Sequence, residues 1–138
     1  MPRLAYANLF ARDIKALSAF YADLFGFDEL PEHRSPIYRC LDAGGMELGF
    51  NDWKAYELLA LADRQPPADA PDAMVPTTVY LTFEVGSQAE VDVRTARALA
   101  LGGQLVKPGY ITYYNSWQAV LTDPEGNVFR LNHRMGLP

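Results

Sequence analysis

The strongest constraint on the fold is an internal repeat, because one order of predicted elements occurs twice along the 138 residues. The order is strand, helix, strand, strand, strand. At one constant offset, Tyr6 falls on Tyr80, and the potential helix cap Asp13 falls on the potential cap Ser87. A repeat of this kind predicts two similar units packed about a pseudo-two-fold axis.

The first copy opens with a predicted strand at 4–10 and continues with a helix that Asp13 caps at its start. Apolar positions recur at helical spacing at Ile14, Leu17, Tyr21 and Leu24. Gly26 ends the helix, since it lacks a Cβ and adopts the left-handed conformation readily. Apolar runs then predict strands at 27–30, 37–41 and 46–50.

The second copy repeats this order after a predicted strand at 79–85. Ser87 and Glu90 have the spacing of a capping box, which begins a helix at 88–101. We expect Val91, Ala98 and Leu99 on the inner side of that helix. Further strands are predicted at 104–107, 116–122 and 127–132, the last two joined by a turn of sequence Asp-Pro-Glu-Gly-Asn.

A proline-rich connector separates the two copies. A short helix is possible at 53–62, whereas 63–76 contains four prolines and is interpreted as a linker or a flap. The length favours one domain, 1–138, with module 1 at about 3–52, the connector at about 53–77 and module 2 at about 78–133.

Composition excludes some functions. The net charge of −5 argues against binding nucleic acid, because phosphate contacts need a basic surface. No apolar run reaches the roughly 18 residues that a membrane span requires, so no membrane contact is expected. The lone cysteine, Cys40, is expected to be a buried, unreactive thiol in a strand, and this usage fits a reducing cytoplasm.

Two stretches carry a resemblance to a known superfamily. The first runs from Tyr6-Ala7-Asn8-Leu9-Phe10-Ala11-Arg12-Asp13 into Phe20-Tyr21-Ala22-Asp23-Leu24-Phe25-Gly26-Phe27, and the second is Asp123-Pro124-Glu125-Gly126-Asn127 before the last strand. Together they resemble the vicinal-oxygen-chelate superfamily of glyoxalases, extradiol dioxygenases, fosfomycin-inactivating transferases and bleomycin-binding resistance proteins. The resemblance implies an α+β fold of two βαβββ modules, whose curled mixed sheets enclose a cleft.

In that superfamily four side chains hold a divalent metal in the cleft, and here their positions fall on Tyr6, Glu47, Tyr80 and Arg130. Only Glu47 suits such an ion, and a guanidinium repels it. We therefore expect no metal and no other cofactor. His33 and His133 fall outside these positions and are expected to be solvent-facing or loop side chains.

The same positions provide the candidate site. We hypothesise that Glu47 and Arg130 face each other across the cleft, either binding a ligand together or replacing the metal as an ion pair between sheets. Aromatic side chains suit a planar or cationic ligand, although they can equally cover core or a dimer interface. The predicted ligand-binding residues are Tyr6, Glu47, Tyr80, Tyr113, Trp117 and Arg130.

Three functions stay open on the sequence alone. The first is a metal-free protein that binds a small organic ligand. The second is an enzyme of glyoxalase or dioxygenase type, or a metal-free lyase or isomerase, in which Glu47 acts as general base and a tyrosine as acid. The third is an interaction module with no ligand. A homodimer is expected in each case, because this fold usually pairs two chains.

Overall fold

Each copy of the repeat folds as a unit of its own. The structure, a computed structural model, describes residues 1–69 and 77–136. It divides into unit 1, Met1–Val75, and unit 2, Pro76–Pro138, with the boundary inside the predicted connector. Half of the predicted proline-rich linker or flap at 63–76, namely 70–76, lies outside the described residues. The units contain open sheets of three and four strands together with helices, which confirms the α+β fold of the resemblance.

Unit 1 forms a three-stranded sheet in the order β1-β3-β2, in which β1 runs parallel to β3 and β2 runs antiparallel to it. Its elements are β1 (Tyr6–Ala11), α1 (Ile14–Phe25), β2 (Tyr38–Asp42), β3 (Glu47–Asp52) and α2 (Lys54–Leu58).

Helix α1 begins and ends where the sequence predicts. The Asp13 carboxylate accepts a hydrogen bond from the Ala16 amide at 3.0 Å, and Gly26 is left-handed with φ of 73°. The four side chains predicted at helical spacing are buried, and the Tyr21 ring lies 5.8 Å from that of Phe50 on β3. The apolar stripe of α1 therefore covers one face of the unit 1 sheet.

The strand predicted at 27–30 is wrong, since the structure forms only an isolated bridge there, between Glu29 and Leu41. Two hydrogen bonds flank it, from Leu30 to Cys40 and from Asp42 to Asp28. Pro31 follows and opens a short 3-10 turn, Pro31–His33. Proline has no amide hydrogen to donate, so the pairing stops after one bridge.

Unit 2 forms a four-stranded sheet in the order β4-β7-β6-β5, with β4 parallel to β7 and the other pairs antiparallel. Its elements are β4 (Leu81–Glu84), α3 (Gln88–Ala100), β5 (Gln104–Ile111), β6 (Ser116–Thr122) and β7 (Val128–Arg134). Strand β5 continues past its predicted end because a register shift between Lys107 and Tyr110 accommodates Pro108 and Gly109, and another shift lies between Leu105 and Lys107.

Local side-chain bonds hold the ends of these elements. The Ser87 hydroxyl accepts from the Glu90 amide at 3.0 Å, as predicted, while the Glu90 carboxylate accepts from the Gly86 amide. Val91 and Ala98 are buried, but Leu99 is 42% exposed, so its predicted inward position is wrong. Adjacent residues lie about 100° apart around a helix, and Ala98 already occupies the inner side.

The Asp-Pro-Glu-Gly-Asn turn is built around one carboxylate. Asp123 is buried, and its Oδ1 accepts from the amides of Glu125 at 2.9 Å and Asn127 at 3.0 Å. Gly126 completes the turn with φ of 88°. This motif therefore fixes the hairpin that joins β6 to β7. No helix in the described part of the chain is long and apolar enough to cross a membrane.

Candidate functional site

Each sheet has one face turned away from its long helix, and we call this the open face of that unit. In unit 1, Phe50 faces α1, so alternation places Glu47, Gly49 and their partners on the open face. In unit 2, Trp117 bonds to α3, so alternation places Gln118 and its partner Asn132 on the open face. The open faces carry most of the predicted site residues.

On the open face of unit 1, Tyr6 lies directly opposite Glu47 in the β1–β3 ladder. The hydroxyl of Tyr6 donates a hydrogen bond to the carboxylate of Glu47, and this bond is the main cause that raises the pKa of Tyr6. The negative charge of Glu47 raises it further. The structure thus brings together two predicted site residues, a carboxylate that accepts and a phenol that keeps its proton.

A cleft of about 250 Å³ opens beside this pair. It contains two carboxylates, those of Asp42 and Glu47, which are opposite each other in the β2–β3 ladder. Its lining residues are Arg3, Ala5, Tyr6, Leu30, Asp42, Gly45, Met46 and Glu47. Both acidic and basic groups therefore border the space in front of Tyr6.

Cys40 is the ladder partner of Gly49 and so lies on the same face as Glu47, with its sulfur 4.0 Å from Oε2 of the carboxylate. The residue is fully buried, as predicted, and burial raises the pKa of its thiol. The thiol therefore stays protonated at neutral pH, which disfavours a nucleophilic role.

Further along the same face, the Tyr38 hydroxyl donates to Oδ1 of Asn8 at 3.1 Å. Gly49 lies beneath this bond, since a Cβ there would fall 2.0 Å from the Asn8 oxygen and 2.2 Å from the Tyr38 oxygen. Burial raises the pKa of Tyr38. The glycine thus makes room for two polar side chains to meet over β3.

On the open face of unit 2, the guanidinium of Arg130 is held by neutral groups. Its Nε donates to the Thr82 hydroxyl at 2.9 Å, and its Nη1 donates to Gln118 Oε1 at 3.3 Å and to the Tyr114 hydroxyl at 3.4 Å. The guanidinium carbon lies 4.8 Å from the centre of the Tyr80 ring, a cation–π contact. Within the described residues of unit 2, no carboxylate lies within 4 Å of Arg130.

A chain of amides continues from Arg130 across the sheet. Gln118 donates to Asn132 Oδ1 at 3.0 Å, and Asn132 donates to the Glu84 carboxylate at 2.7 Å. Gln118 and Asn132 are both buried, and the Tyr110 hydroxyl donates to Gln118 Oε1 at 3.1 Å. Two hydrogen-bonded amides thus connect the positive guanidinium of Arg130 to the negative carboxylate of Glu84.

The predicted role of Tyr80 needs one adjustment. The parallel ladder places Thr82, not Tyr80, directly opposite Arg130. Tyr80 precedes β4 and is 50% exposed, and it reaches Arg130 through the face of its ring. The two predicted residues are therefore together, with Thr82 as a contact that the repeat alignment did not reveal.

Two predicted ligand-binding residues do not share this face. The Trp117 indole donates to Asp92 Oδ1 of α3 at 3.0 Å, so its side chain lies on the helix side of the sheet, opposite to Arg130. Trp117 therefore joins β6 to α3, away from Arg130, and its predicted ligand contact stays a prediction. Tyr113 is fully exposed in the β5–β6 turn, and its ring contacts Tyr114 edge to face at 5.0 Å.

Sequence reasoning missed several residues that surround Arg130. Gln118 and Asn132 carried a signal, since a polar residue at a buried strand position requires a bonded partner. Tyr114 carried a weak signal as part of the aromatic cluster before the last strands. Thr82 carried none, because its contact depends on the β4–β7 register. The hypothesised pairing of Glu47 with Arg130 joins two separate units and stays a prediction.

The side chains at the four metal positions of the superfamily do not fit a divalent ion. Glu47 is occupied by a phenol that donates to it, and Arg130 presents only N–H donors. Over residues 1–69 and 77–136, no group of three or more His, Cys, Asp or Glu side chains is arranged to hold a metal.

Both histidines lie apart from the four positions. His33 is exposed in the 3-10 turn, as predicted. His133 is a strand residue of β7 and not a loop residue, and its Nδ1 lies 3.0 Å from the Val85 carbonyl oxygen.

Comparison with known proteins gives the family. A model of the glyoxalase-like domain matches residues 6–132. A glyoxalase/bleomycin resistance protein/dioxygenase family enzyme from Burkholderia phytofirmans PsJN is 44% identical, with 97% of this chain and all of that chain covered and a TM-score of 0.89. No curated protein matches.

More distant solved structures share the fold. A lactoylglutathione lyase from Agrobacterium tumefaciens is 22% identical over 95% of this chain and 92% of its own, with a TM-score of 0.68. The fosfomycin resistance protein FosX from Listeria monocytogenes is 19% identical over 98% of this chain and 95% of its own, with a TM-score of 0.70. The chain therefore belongs to the glyoxalase-like domain family, within the vicinal-oxygen-chelate superfamily.

Proposed function

We propose that this chain binds a small organic ligand without the help of a metal ion. The observation that carries the proposal is the environment of Arg130, which occupies one of the superfamily's metal positions. Its fixed positive charge is held by Thr82, Tyr114 and Gln118, all neutral partners. A cation in the place of a metal ligand favours direct contact with the ligand over coordination through an ion.

The surroundings of Arg130 support a binding role. Tyr80 and Tyr114 are each about half exposed, so their rings offer flat surface beside the guanidinium. Buried amides of Gln118 and Asn132 fix the floor of this face.

A thermal-shift screen of small organic compounds tests the proposal when it is run with EDTA and, separately, with added Mn²⁺, Fe²⁺, Ni²⁺ or Zn²⁺. A ligand at a hundredfold excess over its Kd stabilises the fold by about 2.7 kcal/mol, which is measurable as a rise in Tm. We expect some compounds to raise the Tm in the presence of EDTA, and we expect a smaller rise in the Arg130→Met variant. Hits that appear only with a metal, and that Glu47→Ala abolishes, would contradict the proposal.

An enzyme is the second candidate, favoured by the Tyr6–Glu47 pair. Glu47 is a carboxylate at the wall of a cleft with a protonated phenol beside it, which are the groups of a general base and a general acid. The Burkholderia relative is itself named as a family enzyme. Turnover of a bound ligand, with kcat lost in Glu47→Gln while its Kd is retained, would establish this function. Binding without turnover would support the first proposal, a metal-free binding protein, and would contradict the enzyme.

We also propose a homodimer in a reducing cytoplasm. Three apolar side chains of the edge strand β5, those of Leu105, Val106 and Ile111, are between 41% and 60% exposed, as expected for a surface that a second chain covers. The lone thiol Cys40 is buried and unpaired with another cysteine, in keeping with that compartment. Light scattering gives the mass directly, and a monomer of 15.4 kDa at micromolar concentration would contradict the dimer.

A further inference from the structure

Among the described residues of unit 2, none accepts the hydroxyl proton of Tyr114 on the open face. Its oxygen accepts one hydrogen bond from Gln118 Nε2 at 2.8 Å and another from Arg130 Nη1 at 3.4 Å. A phenol oxygen accepts up to two hydrogen bonds and donates one. Both acceptor positions are therefore used, and the O–H bond points away from these two donors.

This assignment requires that the Gln118 amide has one orientation, and its neighbours fix it. Gln118 Oε1 accepts from the Arg130 guanidinium, which has no acceptor of its own. At the other end, Asn132 donates to the carboxylate of Glu84, so its Oδ1 must accept from Gln118 Nε2. A flipped Gln118 would place N–H against N–H at Arg130, and Gln118 Nε2 therefore faces Tyr114.

Arg130 has a second hydrogen-bond donor without an acceptor among the described residues of unit 2. Its Nε and Nη1 are bonded to Thr82, Tyr114 and Gln118, whereas its Nη2 donates to no described residue of unit 2. No described acceptor in that unit takes the Tyr114 proton either. Two donors thus stay unused among the described residues of unit 2, one of them charged, on side chains that are partly exposed and that already touch through Arg130 Nη1.

We propose that the Tyr114 hydroxyl and the Arg130 Nη2 group together bind a carboxylate of the ligand. The inference rests on the proposed function and adds the chemical class of the ligand. The two oxygens of a carboxylate only accept hydrogen bonds, so they match the N–H donor of Arg130 and the O–H donor of Tyr114. The negative charge of the carboxylate also neutralises a guanidinium that has no carboxylate neighbour among the described residues of unit 2. Tyr80 under the guanidinium and Thr82 at its Nε hold Arg130 in position for this contact.

The test uses pairs of compounds that differ only in charge. Aromatic and aliphatic carboxylates, such as benzoate and phenylacetate, are compared with their carboxamides by calorimetry and NMR titration in EDTA. We expect the carboxylate of a binding pair to be the tighter ligand, with its Kd raised about 10- to 100-fold by Arg130→Met and about 2- to 10-fold by Tyr114→Phe. The carboxamide Kd changes little in Arg130→Met.

Two control variants remove the same groups elsewhere. Arg97→Met deletes an equal charge on the exposed side of α3, and Tyr56→Phe deletes a phenol hydroxyl in unit 1. Neither is expected to change the Kd of a carboxylate. Direct contact has its own signature, because the carboxylate and not the carboxamide shifts the side-chain N–H resonances of Arg130.

Each result decides a separate point. Equal binding of carboxylates and carboxamides would overturn the inference while the proposed metal-free binding stands. No binding by any carboxylate, or an equal loss in Arg97→Met and Arg130→Met, would also overturn it. Binding of both classes only after a metal is added would overturn the proposed function itself.

Discussion

Tyr6 and Glu47 are opposite each other on β1 and β3, and the phenol of Tyr6 donates to the carboxylate of Glu47. Glu47 raises the pKa of Tyr6 because a negative neighbour and a bonded acceptor both disfavour the phenolate. We expect Glu47→Gln to lower the Tyr6 pKa toward its ordinary value of about 10. An NMR titration that follows a ring carbon of Tyr6 measures this pKa. The signal that is missing in Tyr6→Phe identifies the resonance.

Asp42→Asn is the control for this titration. Asp42 lines the same cleft and lies opposite Glu47, whereas the hydrogen bond and the charge that raise the pKa of Tyr6 most belong to Glu47. An equal fall in both variants would show that the general charge of the cleft, and not the bond to Glu47, controls the phenol.

Alkaline pH is expected to destabilise the fold. The folded state raises the pKa of Cys40 by burial and also raises those of Tyr6, Tyr38 and Tyr56. Groups with a raised pKa hold their protons more tightly when folded, so their stabilisation is complete at low pH and is lost as the pH rises. We expect the free energy of unfolding to fall from about pH 8.5, the ordinary value of a thiol, and more steeply above about pH 10.

Urea unfolding between pH 7 and 11 measures this loss. In Cys40→Ala the fall should begin only near the ordinary pKa of tyrosine, about 10. A wild-type stability that is flat or rising between pH 9 and pH 10.5 would contradict the raised pKa values.

Gly49→Ala is expected to destabilise the protein by about 0.5–1.5 kcal/mol, the usual net contribution of one hydrogen bond. The new Cβ would fall 2.0 Å from Oδ1 of Asn8 and 2.2 Å from the Tyr38 oxygen, so the two side chains must move apart and lose their hydrogen bond. Chemical denaturation gives the value. Gly136→Ala is the matched control, because a Cβ there meets nothing within 4 Å, and an equal cost at both positions would contradict the explanation.

The contact between Trp117 and Asp92 gives a fourth prediction. Asp92→Ala removes the acceptor of the indole N–H, and we expect a loss of about 0.5–1.5 kcal/mol in the free energy of unfolding. Tryptophan fluorescence, read in a Trp53→Phe background, should also change. Asp23→Ala, at an exposed position on α1, should change neither, and a silent Asp92→Ala would show that the bond is not formed in solution.

The features that the sequence predicts correctly depend on residues that are close together in the chain. Helices α1 and α3 begin after Asp13 and Ser87 as expected, because a cap bonds to an amide three residues away. The strand at 27–30 failed for an equally local reason, since Pro31 stops its pairing.

The composition of the site depends on distant contacts that the sequence does not reveal. Trp117 is among the residues that the sequence predicts to bind a ligand, whereas the register of β6 turns it toward Asp92 on α3. Tyr114 reaches Arg130 only because the β5–β6 turn carries it there. A shift of one residue in a strand exchanges the two faces of a sheet, so a prediction of strand position alone cannot assign a side chain to a site.

The amide chain between Arg130 and Glu84 makes it hard to restore a metal-binding residue at position 130. A glutamate there would face Gln118 Oε1, so two acceptors would oppose each other until the amide rotated. That rotation would withdraw the donors that Tyr114 and Asn132 now receive. A glutamate at position 130 would therefore disturb the hydrogen bonds of Tyr114 and Asn132 unless Gln118 changed with it.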